Sequence, residues 1–371
     1  MKNTMFYKFE YCLKYKDTIV FKFNIGRKTI SMVNASLLPI SLKQTQHDFS
    51  LVKKFCANRT LMLNREYCKE ILTACGLDSN DDISISICIL CKSLSFRDNY
   101  WICRVDSHET WSQVNLYQNE FSFTISRVAL TGNIRDLSID TIIGEKIFTG
   151  ELTNKGTRAK CFLRENGKLY LYKKESRDEI NSEIVTFYIA EALNVPCAQY
   201  FKQTKFDTLC SVCQIFTSES YELIPYRDIM SCYNLSESQY TTNAYKTIMQ
   251  ISPINFIKMQ LLDYITLNVD RNRDNFGLLS INNKITSLYP LFDHDSCFKG
   301  KSANGVYFPT RLTFAKTVEM LKSTYSNIYN MLQSDIFHFK QTIASKQFEQ
   351  FFLRYKTLEQ YKSMLRRIST L

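Results

Sequence analysis

Alternating apolar and polar positions dominate the first third of the chain. TIVFKFNI, TISMV, ISISICIL, YWICRV and FSFTISRVAL each read as strands. Between them, LNREYCKEILTACGL has helical spacing at Tyr67, Ile71 and Leu72 and ends on Gly76. Residues 1–140 are therefore expected to form a mixed α/β unit, with the polar stretch from Thr131 to Asp140 as its boundary. Further on, GKLYLYKKE is an alternating strand ending in Lys173 and Lys174. EINSEIVTFYIAEALNV places Ile184, Phe187, Tyr188, Ala190 and Leu193 at helical spacing until Pro196 stops the helix. PINFIKMQLLDYITLNVD predicts another helix, with Ile257, Leu261 and Ile265 on one face.

The chain has 371 residues, 45% of them hydrophobic, with 10 Gly and 6 Pro. It can bury a large core, which excludes disordered, collagenous and low-complexity classes and suggests two or three structural units. The opening MKNTMFYKFEYCLKYKD lacks the apolar region of a secretory leader. The most apolar stretch, Ile254 to Val269, is broken by Lys258 and Asp263, short of the about 18 uncharged residues of a membrane span. A soluble, cytoplasmic protein with no membrane partner is expected.

The 13 cysteines are odd in number and irregular in spacing, and they read as reduced core residues. Two CxxC pairs, Cys88 with Cys91 and Cys210 with Cys213, raise a zinc reading. Both lie in strand-like runs whose residues three apart face opposite ways, so the core reading is preferred. Net charge is +11, and from Thr310 onward 10 basic side chains face 4 acidic ones. Such a basic helical tail suits nucleic acid or an acidic protein, although scattered charges of this kind more often make a solvated face.

Candidate chemistry begins near residue 150. In GELTNKGTRAKCFL, Gly156 lies in a short polar loop between strand-like runs, followed by the strand carrying Lys173 and the helix carrying Glu183. A lysine that neutralises phosphate, held by a helix carboxylate, is the order an ATP-binding lobe needs. Residues after CSVCQIF, around Phe216 and Thr217, would meet adenine through backbone groups, with Ile215 and Leu279 as pocket walls or as ordinary core. Asp270 and, five residues later, Asn275 follow the second helix, and Asp293 ends a second apolar run, LYPLFD. Phosphoryl transfer needs one carboxylate to orient the attacking hydroxyl and oxygen ligands to hold magnesium. Asp270 as base, with Asn275 and Asp293 as metal ligands, meets that need in the spacing of a protein-kinase catalytic loop. Arg273 and Asp274 read as solvent-facing loop charges, His294 as a packing or hydrogen-bonding residue, and Asp295 as a second metal contact or a neighbour of one.

On these motifs the chain resembles the HipA-like kinases, bacterial Ser/Thr protein kinases whose catalytic loop reads Asp-Arg-His, two residues, then Asn. Here Asp270, Arg271 and Asn275 match, and Asn272 stands where that family has His. Pro290, Leu291, Phe292 and Asp293 match the later metal motif, and Lys173 and Glu183 resemble the phosphate-contacting lysine and its helix partner. The resemblance implies an α+β, bilobal protein-kinase-like fold: an accessory domain over 1–140, a small β-rich N-lobe over 141–218 and a helical C-lobe over 219–371. It also implies ATP and Mg2+ as cofactors, a protein substrate, and a toxin-like role with an antitoxin-like regulator. The family's phosphate-covering loop is itself a phosphorylation site, and Thr153 and Thr157 are the hydroxyls this loop offers, or else simple turn formers. A small-molecule or lipid kinase, and a nucleotide-binding pseudokinase, remain open as alternatives.

Overall fold

The computed structural model describes residues 3–77, 83–120, 122–134, 149–233, 247–300 and 302–371. The chain is α+β and divides into two compact units. The first is Met1–Lys174 with Thr204–Thr208 and Gln214–Glu222; the second is Glu175–Gln203, Leu209–Cys213 and Leu223–Leu371. The boundary expected near residue 140 lies outside the described residues.

In the first unit, strands β1 (Glu10–Tyr15), β2 (Thr18–Asn24), β3 (Thr29–Met32) and β4 (Tyr100–Arg104) form a sheet in the order β3-β2-β1-β4. Alternation sorts its two faces. Tyr11, Leu13, Phe21 and Phe23 pack with Phe55 and Cys56 of helix α1 (Ser50–Arg59). Cys12, Trp101 and Cys103 turn to the other side, with Leu94, Trp111 and Phe162. Arg59 is buried, and its Nη1 is shared between both carboxylate oxygens of Asp98 at 2.6 and 2.8 Å.

The expected helix is present as α2 (Cys68–Ala74), followed by Gly76 at φ +67°. Two expected strands are helices. ISISICIL is α3 (Ile83–Leu90), with Ile85, Ile87 and Cys88 buried; its alternation of Ile with Ser spans too few residues to exclude a helix. Cys88 and Cys91 consequently lie one turn apart, and the Cys91 amide donates to the Ile87 carbonyl. Among the described residues no group of three or more His, Cys, Asp or Glu is placed to hold a metal. FSFTISRVAL contains α5 (Phe123–Thr131), which follows the short α4 (Trp111–Val114). Its signals are the Ser122 hydroxyl, which caps the Ile125 amide, and Gly132 at φ +71°. Strands β5 (Lys160–Glu165) and β6 (Lys168–Lys174) form an antiparallel hairpin that sets Lys173 opposite Lys160.

The second unit is mainly helical. Helix α6 (Arg177–Ala192) starts at a capping box between Ser176 and Glu179. It buries Ile180, Ile184, Val185, Ile189 and Ala190, whereas Tyr188 is exposed, so its inward face is rotated from the expected one. Strands β7 (Tyr200–Lys205) and β8 (Thr208–Gln214) follow, each with residues in both units, then β9 (Tyr221–Pro225) and α7 (Tyr226–Cys232). Helix α8 (Pro253–Thr266) opens with Pro253, whose missing amide hydrogen costs nothing in a first turn. It is buried on all sides from Phe256 to Thr266, not along the single face expected, because α6, α9 (Phe314–Thr324), α10 (Ser326–Met331) and α13 (Leu358–Ser369) surround it. Strands β10 (Gly277–Ile281) and β11 (Lys284–Leu288) form a hairpin beyond it. Helices α11 (Gln333–Ile343) and α12 (Lys346–Phe352) complete the unit, and Phe339, Phe352 and Met364 reach the same core. No helix among the described residues is long and apolar enough to cross a membrane.

Two buried glutamates in the first unit make its stability depend on pH. Burial pushes Glu151 and Glu222 up from 4.5 to about 7, against Arg65 beside Glu151 and the Tyr15 hydroxyl on Glu222, with Asp98 adding to the rise at Glu222. Their folded values lie above the unfolded value, so the folded chain holds more protons and stability falls as pH rises from about 4.5 to about 7. Urea unfolding across that window should show the decline, and Glu222→Gln should flatten it. An unchanged slope in the variant would count against the assignment.

Candidate active site

Helix α8 ends because Leu267 adopts a left-handed conformation at φ +50°, turning the chain into the loop 268–276. Asn268 re-enters the helix end, donating its backbone amide to the Asp263 carbonyl and its side-chain amide to Asp263 Oδ1. Its own Oδ1 accepts from the Asp270 amide at 3.1 Å. Asp270 is exposed, and the loop closes beneath it: the Asn275 side-chain amide donates to the Asp270 carbonyl at 3.0 Å. That commits Asn275 Nδ2 to the backbone and leaves Oδ1 as its ligand-capable atom.

Arg271 is fully buried and joins four pieces of chain. Its guanidinium pairs with Asp263 at 3.0 and 3.1 Å and donates to the carbonyls of Asn275 and Phe292, both at 3.0 Å. Its other terminal nitrogen meets His294 Nδ1 at 3.1 Å. Burial alone would lower the Arg271 pKa, but Asp263 overcomes it and raises the value, so the guanidinium stays charged. Tyr307 Oη donates to the other side of the Asp263 carboxylate at 2.6 Å.

The tautomer of His294 follows. Arg271 can only donate, so Nδ1 accepts and Nε2 carries the proton, which points to Cys197 Sγ at 3.3 Å. The His294 backbone amide donates to Glu183 Oε2 at 2.8 Å. Glu183 is fully buried in α6 and so fixes the residue after Asp293. Asp293 itself is left-handed at φ +65°, with its amide donating to Tyr200 Oη at 3.3 Å. A non-glycine residue in that region is held there by its surroundings. The surroundings here include Leu291, whose amide donates to the Pro196 carbonyl and whose carbonyl accepts from Ala198, each at 2.8 Å.

The second unit therefore brings Asp270, Asn275, Asp293 and Glu183 onto one hydrogen-bonded framework. Asp295 is buried beside them, accepting from the Ser296 hydroxyl at 2.9 Å. Asn275 and Asp293 are oxygen donors of the kind magnesium prefers, so the residues fit that ion. His294 has the hydrogen-bonding role expected of it. Asp274 is partly exposed, as a loop charge, and is also ion-paired with Arg227, whose amide donates to the Arg273 carbonyl. Leu279 is half-buried in β10.

The remaining site residues belong to the first unit. Lys173 ends β6, and its neighbour Lys174 is committed to Glu66 Oε1 at 2.6 Å and to Tyr67 Oη at 2.8 Å. Gly156 sits at φ +105°, a conformation side chains resist, and a Cβ there would lie 2.5 Å from Lys160 Nζ. Its loop is clasped by Arg65, which donates to the carbonyls of Glu151 at 3.0 Å and Lys160 at 2.7 Å. Thr153 is buried, its hydroxyl donating to the Leu94 carbonyl at 2.5 Å, whereas Thr157 is exposed. Ile215 and Phe216 are half-buried, and the Thr217 hydroxyl donates to the Phe96 carbonyl at 2.6 Å.

Sequence reasoning missed Asp263 and Tyr307. The signal for Asp263 was a lone carboxylate in an apolar helix, eight residues before Arg271. A charge in such a position must be paired.

No family model and no curated protein matches the chain. Among solved structures, HipA of Shewanella oneidensis MR-1, determined with HipB and its operator DNA, is similar at a TM-score of 0.50 and 11% identity, covering 97% of each chain. The Helicobacter pylori proinflammatory kinase CtkA is similar at a TM-score of 0.42 and 18% identity, over 57% of this chain and 88% of that one. At such identities the likeness is one of fold, and the assignment rests on the first comparison. The fold is that of the HipA-like kinases, as the motifs implied.

Removing one partner of the Arg271–Asp263 pair leaves a buried charge uncompensated, a loss of about 3–5 kcal/mol. Asp263→Asn should lower unfolding stability by that order, and Tyr307→Phe by about 1–2 kcal/mol. Equal stabilities by urea titration would remove the pair from its structural role.

Proposed function

We propose that the protein is an ATP- and Mg2+-dependent kinase that transfers the γ-phosphate to a Ser or Thr hydroxyl of a protein. The observation that carries this reading is the framework around Arg271, which fixes the Asp270 loop and the Asp293 loop with a single side chain. Asp270 orients the attacking hydroxyl, while Asn275 Oδ1 and the Asp293 carboxylate hold magnesium against the phosphates. Lys173 contacts phosphate, Glu183 supports it, the Gly156 loop covers the phosphates, and Phe216 and Thr217 border the adenine. Thr157 is the accessible hydroxyl for autophosphorylation in that loop. The HipA comparison structure contains HipB and operator DNA, which supports a toxin-like, cytoplasmic role held in check by an antitoxin-like, DNA-binding regulator.

The test uses labelled ATP and magnesium with a native cell lysate, lipids and sugars, products being separated by class. Label in protein supports the proposal; label in lipid or sugar alone would make this a small-molecule kinase, and nucleotide binding without transfer a pseudokinase. Asp270→Asn should reduce transfer by about 100-fold or more while leaving nucleotide affinity within a few-fold. Asp293→Ala should abolish the magnesium dependence of thermal stabilisation by ATP. Lys173→Ala should weaken ATP binding and Lys174→Ala should not; the reverse result would shift the β6 register by one.

A further inference from the structure

The first unit contains a second chemically distinctive pair, remote in sequence from every residue assigned above. Cys12 of β1 and Cys103 of β4 are direct cross-strand partners, and their Sγ atoms lie 3.4 Å apart. Backbone bonds from Val105 to Glu10 and from Lys16 to Asn99 mark the narrow pairs of this ladder, and Cys12 with Cys103 falls between them in the same phase. Narrow pairs have Cα atoms about 5.5 Å apart, inside the range a disulfide spans. The sulfurs need to approach by only roughly 1.4 Å, a modest side-chain rotation.

The two thiols are unequal. Cys103 is held below the ordinary thiol value, first by the hydrogen bond from Cys12 and then by the Lys14 and Lys92 ammonium groups, against burial and Glu109. Cys12 is raised, first by the same hydrogen bond and then by burial. Lys14 Nζ reaches the Glu109 carbonyl and Lys92 Nζ pairs with the Glu109 carboxylate at 2.6 Å, which anchors both cations beside the pair. Both cysteines are buried, at 1% and 3% exposure, but Cys103 lies on the outer strand of the sheet, so a small oxidant such as hydrogen peroxide has only that strand's edge to cross. Two thiols already in contact as direct cross-strand partners are the arrangement in which a sulfenic acid on one is resolved by the other.

We infer that Cys12 and Cys103 form an oxidisable dithiol, a modification site for hydrogen peroxide. The Cys103 thiolate attacks one peroxide oxygen; an S–O bond forms, the O–O bond breaks, and hydroxide leaves. Cys12 then attacks the sulfenic sulfur, an S–S bond forms, the S–O bond breaks, and the Cys12 proton together with one solvent proton leaves the departing oxygens as two waters. Both sulfurs are oxidised by one electron each and the peroxide is reduced by two. The product staples β1 to the outer strand, and a dithiol reductant reverses it.

The full chain is reduced, desalted and treated with a small excess of hydrogen peroxide under native conditions. Intact mass should fall by about 2 Da, peptide mapping should show Cys12 joined to Cys103, and dithiothreitol should restore the original mass. In Cys12→Ala, dimedone should trap a sulfenic acid on Cys103, and Cys103→Ser should give neither product. The wild-type map decides the matter even if a variant fails to fold. No mass loss, linkage among other cysteines, or a Cys12–Cys103 bridge that appears only in urea would overturn the inference.

Discussion

A single buried ion pair holds the candidate active site together. Arg271 and Asp263 are both fully withdrawn from water, a state that is costly unless each charge is completely satisfied. Here satisfaction is nearly complete. Asp263 receives Arg271, Asn268 and Tyr307, and Arg271 spends its remaining hydrogens on the Asn275 and Phe292 carbonyls and on His294. Such a network adds little to stability compared with an apolar core of the same volume. What it supplies is uniqueness: the Asp270 loop and the Asp293 loop cannot shift separately without stranding a charge. The result is a rigid internal brace beneath both loops.

A comparable arrangement orders the loop from Gly150 to Lys160 in the first unit. Arg65 is buried and reaches backbone carbonyls at both ends of that loop, while the Glu66 amide donates to the Thr157 carbonyl at 2.7 Å. Inside the turn, Glu151 accepts from the Phe162 amide at 2.7 Å, which ties the loop to β5. Residues 65 and 66 come from the part of the chain that presents no catalytic motif of its own. Their contacts give that part a mechanical role, removing conformational entropy from the loop.

How much of this was legible in the sequence depended on the kind of signal. Strands β2, β3 and β4 and the strand carrying Lys173 were readable from their short alternating runs; β1 was not, because Tyr11, Cys12 and Leu13 are buried on both faces of the sheet and leave no wet side. ISISICIL and FSFTISRVAL were read as strands from an alternation too short to exclude a helix, and the second was decided by its ends, the Ser122 cap and Gly132. Helix α8 was recognised but its single face was not, because a helix surrounded by four others has no wet side. In the site, Asp270, Asn275 and Asp293 stood out by spacing. Asp263 and Tyr307 did not, since a partner forty-four residues away leaves no local trace.

The one position at which the loop 268–276 departs from the motif it resembles also has a physical account. Asn272 occupies the position where the resembling family has His, and its amide is used on three sides. The backbone amide donates to the Asp270 carbonyl at 2.8 Å, Nδ2 lies 3.3 Å from Asp270 Oδ1, and Oδ1 accepts from the Asp274 amide at 2.9 Å. The Asn272 carbonyl in turn accepts from the Asn275 amide at 3.0 Å. A side chain here must therefore offer a donor to the Asp270 carboxylate and an acceptor to the backbone of the same turn. A neutral imidazole has one of each, and so does a carboxamide, with the further property that it does not titrate near neutral pH. Asn272 thus keeps the loop closed and its donor aimed at Asp270 without adding a group that titrates near neutral pH.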